Sequence, residues 1–223
     1  MIQLRGLSKS FRRGGITRPI IRQVDFTLPE LPGIAIIGRN GAGKSTLMRL
    51  IAGTMKPDAG RVVTNERISW PMGFSGGFHP ALTGAQNARF VARVYGRNPQ
   101  RLAEEVEAFA ELGNAWNQPV GIYSTGMKAR LAFSVSMAVN FDTYLVDEII
   151  GVGDDAFRRK CRASFQRRMT TAKVLMISHS APTLRQFCQA GLVLEHGRLT
   201  YHPDLDTALE AHEANLARPV AAA

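Results

Sequence analysis

Eight consecutive residues, Gly38-Arg39-Asn40-Gly41-Ala42-Gly43-Lys44-Ser45, satisfy the pattern G-x-x-x-x-G-K-[ST] at every fixed position. The chemistry such a stretch can do is to wrap backbone N–H groups around phosphate oxygens. Glycine at 38, 41 and 43 is expected because side chains there would obstruct that approach. Lys44 then supplies a point charge for β- and γ-phosphates, and the Ser45 hydroxyl is placed to ligate Mg²⁺. The contacting stretch is read as Gly38 through Thr46, with Arg39, Asn40 and Ala42 included. Its surroundings agree: Gly33–Ile37 is an unbroken apolar run suited to a buried parallel strand. After the loop, Thr46–Ala52 places Leu47, Leu50 and Ile51 on one helical face, with Gly53 as a C-terminal cap.

Two further strand ends carry reactive side chains. Thr143–Val146 runs into Asp147-Glu148, where the first carboxylate can hold Mg²⁺ through water and the second can polarise an attacking water. Val174–Ile177 runs into Ser178-His179. Ligands in open parallel sheets bind beyond the carboxyl ends of the strands, so three strands aim chemistry at one edge. Ser124, ahead of a long apolar helix, can serve as its N-cap and leave the amides near Gly126 facing outward at a positive helix end. An acidic pair after a strand, a capping serine and a lone histidine also suit plain structural roles. The phosphate-loop pattern in the same chain is what ties them to nucleotide chemistry.

The rest of the chain must position these groups. Its 223 residues, 45% hydrophobic, suit one α/β domain or one domain with an inserted lobe. Strand texture covers Ile2–Leu7, the alternating Val24, Phe26 and Leu28, Arg61–Thr64 and Ile68–Trp70, with turns at 13–15, 29–33 and 56–60. Helical texture fills about 82–140, with Leu102, Val106 and Phe109 on one face and a long helix over Lys128–Val139. A last helix is expected over Leu205–Leu216, with Leu205, Leu209, His212 and Leu216 spaced along it, and 217–223 is expected to be a flexible tail. Arg158-Arg159-Lys160 to Arg167-Arg168 follows helical spacing, with Phe157, Cys161 and Phe165 inward and the charges on a solvated face.

No apolar run reaches the roughly 18 residues of a membrane span, and the start lacks a signal-type stretch, so a cytoplasmic chain is expected. Cys161 and Cys188 stand apart from any metal or disulfide pattern. The net charge of +10 is compatible with nucleic acid, anionic lipid or acidic cargo nearby.

Taken in order, the phosphate loop, Ser124-Thr125-Gly126, Asp147-Glu148, Gly151-Val152-Gly153-Asp154 and His179 resemble the motifs of the ATPase subunit of ABC transporters, over nearly the whole chain. The resemblance implies a P-loop NTPase core with an antiparallel β subdomain and an inserted helical subdomain, using ATP and Mg²⁺. It implies Phe11 stacked on adenine, Ser45 and Asp147 at the metal, and Glu148, His179 and Lys44 in catalysis. It further implies a homodimer, in which Ser124 and Gly126 bind the γ-phosphate of the nucleotide held by the partner subunit and Asp154 lies in the loop joining the two sites.

Two departures stand out. Thr125 and Met127 replace a glycine and a glutamine of the usual signature, and the glutamine expected after the strand at Trp70 is missing. Ile68-Ser69-Trp70-Pro71, Gly76-Gly77-Phe78, Leu82-Thr83-Gly84 and Asn87 are similar to the capsular-polysaccharide export ATPases. That likeness implies a subunit at the cytoplasmic face of the inner membrane, driving polysaccharide export through an integral membrane permease, with no nucleic-acid partner. Exporters of O-antigen or teichoic acid, and non-transport ABC ATPases acting on nucleic acid or ribosomes, are the alternatives. With no carbohydrate-binding domain expected after Arg198, glycan selection is assigned to the permease, and His79 is a candidate contact to it.

Overall fold

The computed structural model describes residues 1–72, 77–147 and 153–217. In chain order the elements are β1 (Ile2–Arg13), β2 (Ile16–Thr27), β3 (Gly33–Ile37), α1 (Lys44–Ile51), β4 (Ala59–Thr64), β5 (Ile68–Met72), α2 (Gly84–Val94), α3 (Pro99–Ala110), α4 (Thr125–Ala138), β6 (Thr143–Asp147), α5 (Asp155–Met169), β7 (Lys173–Ile177), α6 (Ala181–Phe187), β8 (Ala190–Glu195), β9 (Arg198–His202) and α7 (Leu205–Ala217). They fall into two units, one comprising 1–71, 142–148 and 172–223, the other 72–141 and 149–171.

The first unit is built on two sheets. One is antiparallel with order β2-β1-β4, and the other has order β5-β6-β7-β3-β8-β9. β1 continues well past the Ile2–Leu7 of the sequence reading, as a long hairpin with β2. Its pairing register shifts between Leu4 and Leu7, between Leu7 and Lys9 and between Lys9 and Ser10, so simple alternation is reset along it. Pro71 is tolerated in β5 because that strand stands at the sheet's edge. Leu4, Leu7 and Ile21 from the first sheet, Leu47 and Leu50 from α1, and Ile36, Leu145, Leu175 and Leu192 from the second share one buried core. Burial of this kind contributes about 25 cal/mol per Å² of apolar surface.

α1 ends as the sequence requires. Gly53 takes φ +70°, its N–H reaches the Leu50 carbonyl at 3.1 Å, and the Thr54 N–H reaches the Arg49 carbonyl at 3.0 Å, which is the paired C-terminal motif that only a left-handed residue completes. α7 forms where the spacing of Leu205, Leu209, His212 and Leu216 places it, but those residues are not equally buried. Leu205 and Ala208 are buried and Leu216 is 46% exposed, because the helix sits so close to β8 that a Cβ on Gly191 would lie 2.3 Å from that of Ala208. Small residues decide the packing there.

The second unit is helical. Thr83 and Gln86 close a reciprocal capping box at the start of α2. Asn98 caps α3, where Pro99 occupies the first turn. α5 belongs to this unit although β6 precedes it in the chain, and Phe157, Cys161 and Phe165 face inward as their spacing requires. Its basic stretch is not simply solvated. Lys160 donates to the Phe109 carbonyl at 2.9 Å and pairs with Glu111, while Arg168 donates to the Met137 carbonyl at 2.8 Å and to Asn140 Oδ1 at 2.7 Å. These two cations satisfy carbonyls at the ends of α3 and α4, where the helix dipoles favour positive charge. Burial pushes the thiols of Cys161 and Cys188 up to about 12, so both stay protonated. No helix among the described residues is long and apolar enough to cross a membrane.

Candidate nucleotide site

β3 is buried along its whole length and delivers the chain directly into the phosphate loop. Gly43 is the N-cap of α1 with φ +106°, Lys44 opens the helix, and the Leu47 N–H returns to the Gly43 carbonyl at 2.8 Å. Lys44 Nζ folds back over the loop and donates to the carbonyls of Gly38 at 2.7 Å and Arg39 at 3.1 Å. The ammonium is thus held at the centre of the curl, where an incoming phosphate would compete with those carbonyls.

The fold itself adds a second reason for the glycines. A Cβ on Gly38 would lie 2.4 Å from the Leu194 carbonyl oxygen, and one on Gly43 would lie 2.2 Å from Ile20 Cγ2. Gly41 faces open space, and its φ of +78° is what calls for glycine. Clearance from neighbouring strands and backbone conformation, rather than room for phosphate alone, set all three.

β7 pairs in parallel with both β6 and β3, with Asp147 opposite Ile177 and Ala35 opposite Met176. The carboxyl ends of the three strands therefore point the same way, and the loop, Asp147 and His179 come to one edge of one sheet. Asp147 is half-buried there, while Ser45 and His179 are exposed. Ser45 and Asp147 offer the hard oxygen donors that Mg²⁺ prefers, and a nucleotide-bound Mg²⁺ takes only one or two protein ligands. Glu148 lies outside the described residues, as do Gly151 and Val152.

Beside the loop lies a cleft of about 690 Å³, bordered by Arg18, Ile20 and Arg22 of β2, by Arg39 and Asn40, and by Glu195 at the end of β8. Ligand sites typically fall between about 300 and 1,000 Å³, and three guanidinium groups suit a polyanion. Phe11 is 44% exposed and sits opposite Arg18 in the β1–β2 register, with Lys9 Nζ 5.8 Å from its ring centroid. Nothing in the sequence marked Arg18, Arg22 or Glu195 as neighbours of the loop, because β2 of one sheet and the end of β8 of the other border the same cleft only in the folded chain. α7 also reaches this region. Arg39 donates to the Asn215 carbonyl at 3.4 Å, and desolvation, reinforced by the charges of Lys44 and Arg39, lowers the pKa of His212.

In the helical unit, Ser124 Oγ accepts the Met127 N–H at 3.2 Å and so caps α4. Thr125 is the first residue of that helix and lies outside the left-handed region, so the place of the usual glycine makes no conformational demand here. Ser124, Thr125 and Gly126 are exposed, and only Ser124 Oγ, at 3.9 Å, comes near a Cβ built on Gly126. This exposed helix end carries the positive pole of the α4 dipole, which favours an anion. Asp154 caps α5: the Phe157 N–H at 2.9 Å first, and then Arg130 at 2.6 Å, hold its carboxyl below the usual range. Arg130 escaped the sequence reading. His79, proposed there as a contact to a partner, is exposed, and its Nδ1 accepts the Ala81 N–H at 3.3 Å.

A family model described as ABC transporter matches residues 21–151. The chain is 40% identical over 216 residues to the polysialic acid transport ATP-binding protein KpsT of Escherichia coli, covering 96% of each chain. It is 40% identical over 214 residues to the capsule polysaccharide export ATP-binding protein CtrD of Neisseria meningitidis serogroup B, covering 96% of this chain and 99% of that one. Among solved structures, the ATP-binding cassette MJ0796, a dimer in a post-hydrolysis state bound to ADP and Pi, superposes with a TM-score of 0.72 at 20% identity, over 90% of this chain and 98% of the other. The last comparison bears on the fold alone.

Proposed function

The chain belongs to the ABC transporter family, and we propose that within it this protein is the subunit whose ATP hydrolysis drives export of a capsular polysaccharide. The observation that carries the reading is the meeting of the phosphate loop, Asp147 and His179 at one sheet edge, beside a cleft lined with arginines. The loop amides and Lys44 hold the β- and γ-phosphates, Arg18, Arg22 and Arg39 offset charge along the nucleotide, and Phe11 offers a stacking face for the base. Ser45 and Asp147 would hold Mg²⁺, which neutralises phosphate charge when bound. Glu148 polarises the attacking water, and His179 contacts the γ-phosphate.

Ser124 and Gly126 lie exposed at the start of α4. Their reading as the lid for a partner subunit's nucleotide gives a homodimer with two shared sites that forms when ATP is bound. Since no described helix can cross a membrane, transport requires a separate membrane permease, and this chain works at the cytoplasmic face beside it. The glycan is assigned from the likeness to the capsule and polysialic acid proteins. The test is sedimentation of Glu148→Gln with ATP and Mg²⁺, beside steady-state phosphate release by the unmodified chain. A dimer in the variant and turnover in the parent are expected. A variant that stays monomeric with its nucleotide sites filled, or a parent without turnover both alone and with its permease, contradicts the proposal.

A further inference from the structure

Arg130 lies six residues past the capping Ser124 in α4 and is only 18% exposed at its side chain. It meets three partners. Nη2 donates to Asp154 Oδ2 at 2.6 Å, Nη1 lies 3.8 Å from Glu111 Oε2, and the guanidinium carbon stacks 4.3 Å from the centroid of the Phe157 ring. The second oxygen of Asp154 accepts the Phe157 N–H at 2.9 Å, so both carboxylate oxygens are engaged and the side chain is held in one orientation. Gly153, just before it, has φ +83°, and a Cβ there would come 3.2 Å from both Arg130 Nε and Phe157 Cδ1. Gly153, the residue before the cap of α5, is therefore fitted closely against the stacked guanidinium. A planar fork that pairs and stacks at once is a job lysine cannot fill.

We propose that Arg130 is a positioning residue that makes the serine-glycine helix end and the Asp154 loop a single part, so that both reach a partner subunit's site together. The inference rests on the two-subunit reading given above and adds to it the element that couples two contact surfaces. α4 carries Ser124 and Gly126 at its start, and the guanidinium, less than two turns on, fixes the capping carboxylate of α5. Loss of the clamp leaves each helix capped and folded but lets the two surfaces move independently. The phosphate loop of the same chain, which belongs to the other unit, is untouched.

The experiment measures ATP-driven dimerisation by sedimentation in the Glu148→Gln parent and in variants of it, with binding of a fluorescent ATP analogue to the monomer and thermal melting as companions. Arg130→Ala removes the clamp. Asp154→Asn keeps a good N-cap for α5 while removing the charge that Arg130 binds, so it reports on the pair even where Arg130→Ala folds poorly. Both are expected to raise the ATP concentration needed for dimerisation by about tenfold, the size of a coupling between contacting residues, with monomer affinity and melting of Asp154→Asn near those of the parent. The double variant is expected to be no worse than the poorer single one, and Arg130→Lys to restore only part of the loss. Equal dimerisation in Asp154→Asn and its parent, or additive losses in the double variant, would overturn the inference alone. A parent that fails to dimerise would overturn it together with the two-subunit reading.

Discussion

Glu66 offers a perturbation whose size can be worked from the structure. Its side chain is 8% exposed and lies under Lys173, the Met1 α-amino group and the Thr143 hydroxyl. Burial alone would raise its carboxyl, but the hydrogen bonds from those three groups outweigh that cost and bring it from the ordinary 4.5 to about 2. At about 1.36 kcal/mol for each pH step, the drop corresponds to about 3 kcal/mol. The folded-state pKa lies below the unfolded one, so the contribution is complete above about pH 4.5 and fades as the pH falls toward 2, with more than half gone by about pH 3. Glu66→Gln is therefore expected to lose about 2 to 3 kcal/mol at pH 7. The gap to the parent should shrink steadily on acidification, as read by urea unfolding between pH 7 and pH 3. A constant gap across that range would refute the electrostatic origin of the effect, and a gap under about 0.5 kcal/mol at pH 7 would show that the cluster is no better than a surface ion pair.

Other expectations follow from single contacts. Lys44→Ala should weaken nucleotide binding by about tenfold or more, the worth of a charge-assisted bond to phosphate, and unchanged affinity by calorimetry would remove Lys44 from the phosphate site. Glu148→Gln should slow turnover by about a hundredfold or more with nucleotide binding nearly intact, and normal phosphate release would strip Glu148 of its role. Gly38→Ala forces a Cβ to within 2.4 Å of the Leu194 carbonyl oxygen. It should destabilise the fold by about 1 to 3 kcal/mol even without nucleotide, and a melting temperature equal to the parent's would contradict that clash.

Much of this was legible because local chemistry and local structure coincide. The strand, glycine loop and helix of the phosphate site are contiguous, and the period of Phe157, Cys161 and Phe165 survives intact in α5. What escaped was non-local. The sequence marks only Ile2–Leu7 of β1, because three register shifts in its pairing with β2 break the two-residue period by which a strand is recognised. The glycine requirement at 38 and 43 depends on Leu194 and Ile20, which reach the loop only in the folded chain. Nothing local in the sequence marks Arg130, because its partner Asp154 lies 24 residues away. The cationic cleft is assembled from β2, the loop and the turn after β8, and no window of sequence contains it.

The central claim is that nucleotide turnover at this sheet edge moves a polysaccharide across the membrane. Its most direct measurement is surface glycan in cells where the natural gene is replaced by Lys44→Ala or Glu148→Gln, with the polymer quantified separately at the surface and in the cytoplasm. The account predicts that polymer disappears from the surface and accumulates inside, while the variant protein is present at its usual level. Normal surface display with either variant, or loss of polymer from both compartments, would contradict it.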